Sequence, residues 1–444
     1  MSPVQLWFER ALLPEGWARQ VRFRFDGGSA PAVEAGVAKD PADEVHAFAV
    51  PGLGNLHSHA FQRAMAGLTE VAGPSGDNFW SWREAMYRFA GRIAPEDLEA
   101  IAAQAYVEML ESGFTRVGEF HYLHRAPDGG AYADPAEMSA RIAAAASATG
   151  IGLTLLPVFY AHSGFGRTAP GTAQRRFVQS LDEYVALMMR CREHLEPLPD
   201  AVLGIAPHSL RAVTPEELSA LVRLPGPVHI HIAEQTKEVE DCIAWSGARP
   251  VQWLLDHAAV DARWCLVHAT HMDGGETRDL AASGAVAGLC PITEANLGDG
   301  LFPLPEYLAA QGRFGIGSDS NLRIDCAEEL RLLEYGQRLH LRRRNVTAAA
   351  QGRSTGGTLF RAALAGGRQA LGAADFDLVS LDASHPALEG REGDALLDSW
   401  IFAAGSRAID CVWRNGRKLV AGGRHRDREP VAARYRATIG RLLS

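Results

Sequence analysis

Between residue 49 and residue 320, short apolar runs alternate with longer stretches rich in Ala and Leu. Eight runs stand out: AVPGLGNLHSH, FTRVGEF, IGLTLLPVFY, AVLGIAPHS, PVHIHIAE, WCLVHAT, AVAGLCPIT and FGIGSDS. Each is a few residues of mostly apolar character, and several are bounded by Gly or Pro, which marks them as strands. The segments between them, PEDLEAIAAQAYVEMLESG and DPAEMSARIAAAASATG for example, are long enough for crossover helices. Repeated strand and helix units imply an α/β class with a parallel sheet, and eight of them predict a closed (β/α)₈ TIM-like barrel. An open doubly wound sheet is the alternative, but no GxGxxG follows a first strand.

The flanks differ. The start has short, polar-alternating pieces such as QVRFRFDGG, and the end carries SRAIDCVWRNGRKLVAGGRH, where RNGRK is a hairpin turn. Both ends are therefore expected to build one small β-sandwich module, residues 1–50 with 376–444, around a barrel of residues 51–375. The Gly/Ala-rich AALAGGRQALGAAD near residue 370 reads as a helix ending at a Gly rather than a linker.

Composition narrows the function classes. With 444 residues, 47% hydrophobic and 22% charged, the chain can bury a large core. A formal charge of -9 argues against a nucleic-acid surface, and the short basic cluster LRRRN reads as a solvated helix face. Neither a basic n-region with a long apolar stretch nor an apolar run of about 18 residues is present, so a cytoplasmic protein is expected. Six cysteines without a CxxC pair predict reduced, buried thiols.

Barrel enzymes carry their chemistry where strands end. Here the first run ends in His57 and His59, the fourth in His208, the fifth in His231 with Glu234 behind it, the sixth in His268 and the eighth in Asp319. A strand period of two points His57 and His59 to one side, so their imidazoles can converge on one ion. Adding His231 and Asp319 at the same mouth predicts a metal site. Nitrogen and carboxylate donors suit Zn²⁺ or Fe²⁺, with zinc favoured. The fourth run has no lysine to bridge a second ion, so one metal per chain is expected. His229, one strand period before His231, reads as a satisfied core histidine and His271 as a loop residue. His121 and His124 are expected either at the pocket or on the surface.

The HxH of the first strand, HIAEQ after the fifth, VHATH after the sixth and GIGSDSN at the eighth together resemble the amidohydrolase superfamily in its mononuclear deaminase branch. Within it, GNLHSHAFQRAMAGL, FWSWREAMYRFA, GEFHYLH, APHSLRAVT and HIAEQTKEVEDC are most similar to the deiminases that hydrolyse N-formimino-L-glutamate to N-formylglutamate and ammonia in histidine degradation. The resemblance implies that His57, His59, His231 and Asp319 bind the metal and that Glu234, His268 and Asp319 do the acid/base and electrostatic work. It assigns Gln62, Arg83, Tyr122, His208 and Arg211 to the substrate, and it implies a homodimer. The chemistry agrees: guanidinium forks at Arg83 and Arg211 suit a substrate with two carboxylates. A deaminase of a purine, pterin or triazine ring is the nearer rival, kept open by Trp80 and Trp82; a non-catalytic metabolite- or protein-binding barrel is the other.

Overall fold

The computed structural model describes residues 4–27, 30–72, 78–198, 200–348, 350–373 and 376–444. The eight runs form the strands β1 (Leu53–Ser58), β2 (Phe114–His121), β3 (Gly152–Phe159), β4 (Val202–Leu203 and Ala206–Pro207), β5 (Val228–Ile232), β6 (Trp264–His268), β7 (Val286–Leu289) and β8 (Arg313–Ile316). All neighbours pair in parallel, in the order β5-β6-β7-β8-β1-β2-β3-β4. Bridges Ile205↔Val228 and Ser209↔His231 join β4 back to β5 and close the TIM-like barrel.

Every residue of β2 and β3 is buried. That is the expected state of a parallel strand with side chains packed inside the ring and helices outside it. One of those outer helices, Thr355–Leu371, is the Gly/Ala-rich segment, and Gly372 ends it in the left-handed conformation at φ 63. Its glycine pair has a packing reason: a Cβ on Gly366 would lie 1.9 Å from the Phe314 carbonyl, so only glycine lets this helix rest on β8.

The chain ends share one eight-stranded sheet. Its order runs Arg424–His425, Arg417–Ala421, Ile409–Arg414, Leu378–Leu381, Glu44–Pro51, Val4–Leu13, Gly16–Phe25, Ala32–Glu34. The expected hairpin is present, with Asn415 and Gly416 both at positive φ, 47 and 78. The sheet curls over itself: Val4–Leu13 and Ile409–Arg414 are three strands apart, ~14 Å in a flat sheet, yet the Phe8 and Trp413 rings meet at 5.9 Å. Phe8, Phe23, Phe25, Trp413 and neighbouring aliphatics form its own core.

Two features tie this module to the site. Its strand Glu44–Pro51 passes through Gly52 directly into β1, the strand of His57 and His59. The final helix, Arg428–Leu443, lies along the barrel helix Pro95–Glu111, where Arg434 pairs with Glu99 at 2.9 Å and Arg441 with Asp97. All six cysteines are free and buried. Among the described residues, no helix is long and apolar enough to cross a membrane.

Candidate metal centre and substrate pocket

At the C-terminal mouth of the barrel the side chains of His57, His59, His231 and Asp319 converge. The β1 histidines stand edge to face, ring centroids 4.7 Å apart. His231, from the end of β5, brings its Nε2 to 3.0 Å from that of His57. Asp319 follows β8, its Oδ1 3.4 Å from His59 Nε2 and 3.7 Å from His57 Nε2. Gly317 allows this close approach, since a Cβ there would meet the His57 carbonyl at 2.7 Å.

The backbone here is strained and braced. Asp319 and His268 are left-handed, at φ 43 and φ 69, a conformation that non-glycine residues keep only when their surroundings impose it. The Asp319 N–H donates to the His57 carbonyl at 3.0 Å, and the His59 N–H to the Asp319 carbonyl at 2.9 Å. Beneath them lies a buried network: Asn55 Nδ2 donates to Ser318 Oγ at 2.6 Å, Ser318 Oγ to Asn321 Oδ1 at 2.6 Å, and Asn321 Nδ2 to Ser58 Oγ at 3.1 Å and the Asp319 carbonyl at 3.0 Å.

Whether these residues fit a cation follows from their hydrogen bonds. His59 Nδ1 lies 2.8 Å from the Phe120 carbonyl and His231 Nδ1 3.1 Å from the His208 carbonyl, so each Nδ1 carries the donated proton. Each Nε2 is then a bare lone pair, that of His59 facing the Asp319 carboxylate and that of His231 facing His57 Nε2. Burial keeps His59 neutral by lowering its pKa to about 3, and it also pushes His57 and His231 well down. Neutral imidazole nitrogens converging beside a buried carboxylate are a donor set that fits a divalent ion. Burial raises the Asp319 pKa to about 7, with Glu234 and Glu294 adding to the effect. A cation at this point reverses that cost.

His268, at the end of β6, faces the same space: its Nε2 is 3.8 Å from Glu234 Oε1 and 3.9 Å from Asp319 Oδ2. Its Nδ1 donates to Glu294 Oε1 at 3.2 Å. Burial lowers its pKa, but the surrounding carboxylates, Glu234 first, outweigh that and raise it to about 10. The imidazole thus sits among three carboxylates that favour its protonated form.

One cavity joins this centre to the other predicted residues. His59, Gln62, Arg83, Tyr122, His208, Arg211, His231, Glu234, His268 and Asp319 all line it, and His57 lies fully buried beneath. Gln62 Nε2 donates to the Tyr122 hydroxyl at 2.8 Å. Arg211, its side chain 11% exposed, has Glu238 3.8 Å away and a buried Nε without an acceptor among the described residues. Arg83 comes from helix Phe79–Ala90, capped by Asn78, whose Oδ1 accepts from the Trp80 N–H at 2.9 Å. Its guanidinium sits over Trp80 at 4.4 Å and Tyr87 at 5.5 Å. Trp82 lines the cavity, whereas Trp80 backs Arg83.

Several residues here escaped the sequence reading. Glu294 sits in PITEAN just past β7, and its carboxylate at the same mouth was the available signal. Tyr160 and Phe177 line the cavity but carry no motif, and Tyr87, within FWSWREAMYRFA, was not singled out. Glu238, fully buried behind Arg211, looked like an ordinary helix carboxylate. His121 and His124 are corrected: both are buried and neither lines the cavity, because their side chains turn into the packing outside the ring, where His124 Nε2 meets the Val158 carbonyl at 2.9 Å. His229 is the core histidine expected, its Nε2 2.8 Å from the Ala370 carbonyl.

The chain matches the model of the amidohydrolase family over residues 48–419 and that of the N-terminal domain of formimidoylglutamate deiminase HutF over residues 6–47. It is 52% identical to the formimidoylglutamate deiminase of Pseudomonas aeruginosa, over 99% of each chain. Its fold superposes with a TM-score of 0.96 on the crystal structure of an amidohydrolase from Brucella melitensis, at 55% identity, covering 99% of this chain and 100% of that one. At 23% identity, an adenosine deaminase from Xanthomonas campestris shares the fold at a TM-score of 0.82, covering 99% and 98%. The barrel, its terminal sheet and these matches together place the chain in the amidohydrolase family.

Proposed function

We propose that the chain hydrolyses N-formimino-L-glutamate to N-formyl-L-glutamate and ammonia, a step of histidine degradation. The observation that carries this reading is a single cavity with an acceptor-rich centre at one end and two guanidinium groups, Arg83 and Arg211, at the other. A substrate with two carboxylates and an amidine-like carbon needs both ends. The 52% identity to a formimidoylglutamate deiminase along the whole chain supports the same assignment.

His57, His59 and His231, with Asp319 beside the first two, would hold one divalent ion per chain, zinc by the nature of the donors. When bound, such an ion lowers the pKa of a water from 15.7 toward about 7. Arg211 and Arg83 take the carboxylates, and Gln62, Tyr122 and His208 add hydrogen bonds that orient the formimino group. Asp319 accepts the proton of the attacking water. The charged His268 steadies the negative charge that develops on its oxygen. Glu234, beside His268, takes the second proton from the water oxygen and passes it to the formimino nitrogen, the proton held on Asp319 follows, and the C–N bond breaks to release ammonia as the carbonyl forms.

The wider assignment follows the same reading: a cytoplasmic homodimer, each chain with a barrel of residues 51–375 and a module of residues 1–50 with 376–444. The test is ammonia release from N-formimino-L-glutamate, guanine and an adenosine analogue supplied separately. Release from the first alone, with about one metal equivalent per chain lost on chelation together with activity, is expected. Release only from a ring substrate overturns the assignment.

A further inference from the structure

Helix Phe79–Ala90 has a second cavity on its other side. About 450 Å³ in volume, it is lined by Tyr87, Arg88, Arg92, Arg175 and Arg176, with Glu84 the carboxylate in that lining. Such a volume falls in the range of small-molecule sites. Four guanidinium groups around one hollow are unusual company in a chain of net charge -9.

The four arginines are not alike. Arg176 is buried: its Nη1 donates to the Ala90 carbonyl and, at 2.9 Å, to that of Ile93, and its Nε to the Arg125 carbonyl at 2.8 Å. It thereby neutralises the partial negative charge at the helix end, which would otherwise repel an anion. Arg175 is anchored by its Nε to the Pro127 carbonyl at 2.8 Å. Arg88 and Arg92 are exposed, and their side chains make no hydrogen bond or ion pair among the described residues. A compact anion would be held between helix and loop by these two and Arg175.

This cavity touches the substrate pocket through Tyr87, which lines both. The same helix gives the substrate pocket Phe79, Trp82, Arg83 and Met86. The space left among those side chains is about 60 Å³, well under the ~300 Å³ at which small-molecule pockets begin. Admitting a substrate with two carboxylates takes an outward movement of these walls, and the helix is the wall that the two cavities share. A ligand that ties Arg88 and Arg92 to Arg175 opposes that movement.

We propose that the arginine-lined cavity is a second site for a compact dianion, an inorganic phosphate or a small dicarboxylate, whose binding braces helix Phe79–Ala90 and raises the substrate KM. The coupling is reciprocal in binding free energy, so bound substrate weakens the dianion in turn.

The metal-loaded, full-length protein tests this by equilibrium dialysis against phosphate and, separately, succinate, with Arg88→Gln/Arg92→Gln and Arg211→Met beside the wild type. Expected is saturable binding of at least one of the two ions. It should survive Arg211→Met and weaken about tenfold or more in the double variant, which loses two charge-assisted hydrogen-bonding groups. Whichever ion binds identifies the source, phosphate or carboxylate. The bound ion should also raise KM in the wild type and leave KM of the double variant unchanged. Equal binding in the double variant, loss of binding in Arg211→Met, or no saturable binding of either ion overturns the proposal. Dialysis needs no turnover, so these outcomes stand whatever substrate the barrel processes.

Discussion

The two ends of the substrate cavity are built by different means. At the floor, His57, His59, His231, His268 and Asp319 stand on or just beyond strand ends, and carbonyls, backbone N–H groups, the Glu294 carboxylate and the Asn55–Ser318–Asn321–Ser58 network fix them. At the wall, Arg83 rides on a surface helix and is held by ring faces rather than by hydrogen bonds. Arg211 lies between, with a carboxylate 3.8 Å away as its anchor among the described residues. Groups that must meet a reacting carbon within tenths of an ångström are placed by the sheet, while groups that admit and recognise the substrate sit on parts able to move. Perturbation should therefore fall hardest on the rate at the floor and on KM at the wall.

The strongest break is Glu234→Gln, which keeps shape but removes the proton carrier. It should cut kcat by about 10²–10⁴-fold, with metal content by elemental analysis unchanged; wild-type turnover would remove Glu234 from the reaction. Next comes Arg211→Met. Truncating a buried charge that recognises a carboxylate costs about 10²-fold in kcat/KM, and steady-state kinetics should place most of it in KM. A fall confined to kcat would contradict the division between floor and wall. Asn321→Ala tests the bracing directly. Loss of this support should weaken the metal by about 10–100-fold in chelator competition, with every catalytic side chain still present.

Arg83→Met sharpens the other side. Because this guanidinium is partly exposed and loosely held, about a tenfold rise in KM is expected, smaller than for Arg211. A control lies in the terminal module. Asp43, hydrogen-bonded by Arg22 at 2.7 Å, has its pKa lowered first by that bond. A depressed carboxylate contributes stability above its unfolded value, near 3.9, that is lost as pH falls through the folded value. Melting curves of wild type and Asp43→Asn should thus differ at pH 6 and converge toward pH 3, with kcat untouched at neutral pH.

How much of this could be read in advance depends on distance along the chain. The alternation of strand and helix is local, so the eight runs became eight barrel strands, and Asn415-Gly416 gave the hairpin its dipeptide promised. The HxH of β1 was legible because a period of two is a property of the strand itself. Glu294, Glu238 and Asn321 were not, since their importance comes from what they touch 26, 27 and 263 residues away. His121 and His124 misled for the converse reason. They sit at a strand end like the true pocket residues, but nothing local tells which way an imidazole turns once the strand is finished.

The sequence by itself determined the barrel, the strand-end histidines and aspartate, and the family, because each rests on short-range periodicity or on motifs in order. Only the tertiary structure decided that those side chains share one centre, that Asn321 and its partners brace it, and that one helix serves both the substrate cavity and an arginine-lined hollow behind it. Those are contacts between segments far apart in the chain, and their geometry exists only once the barrel has closed.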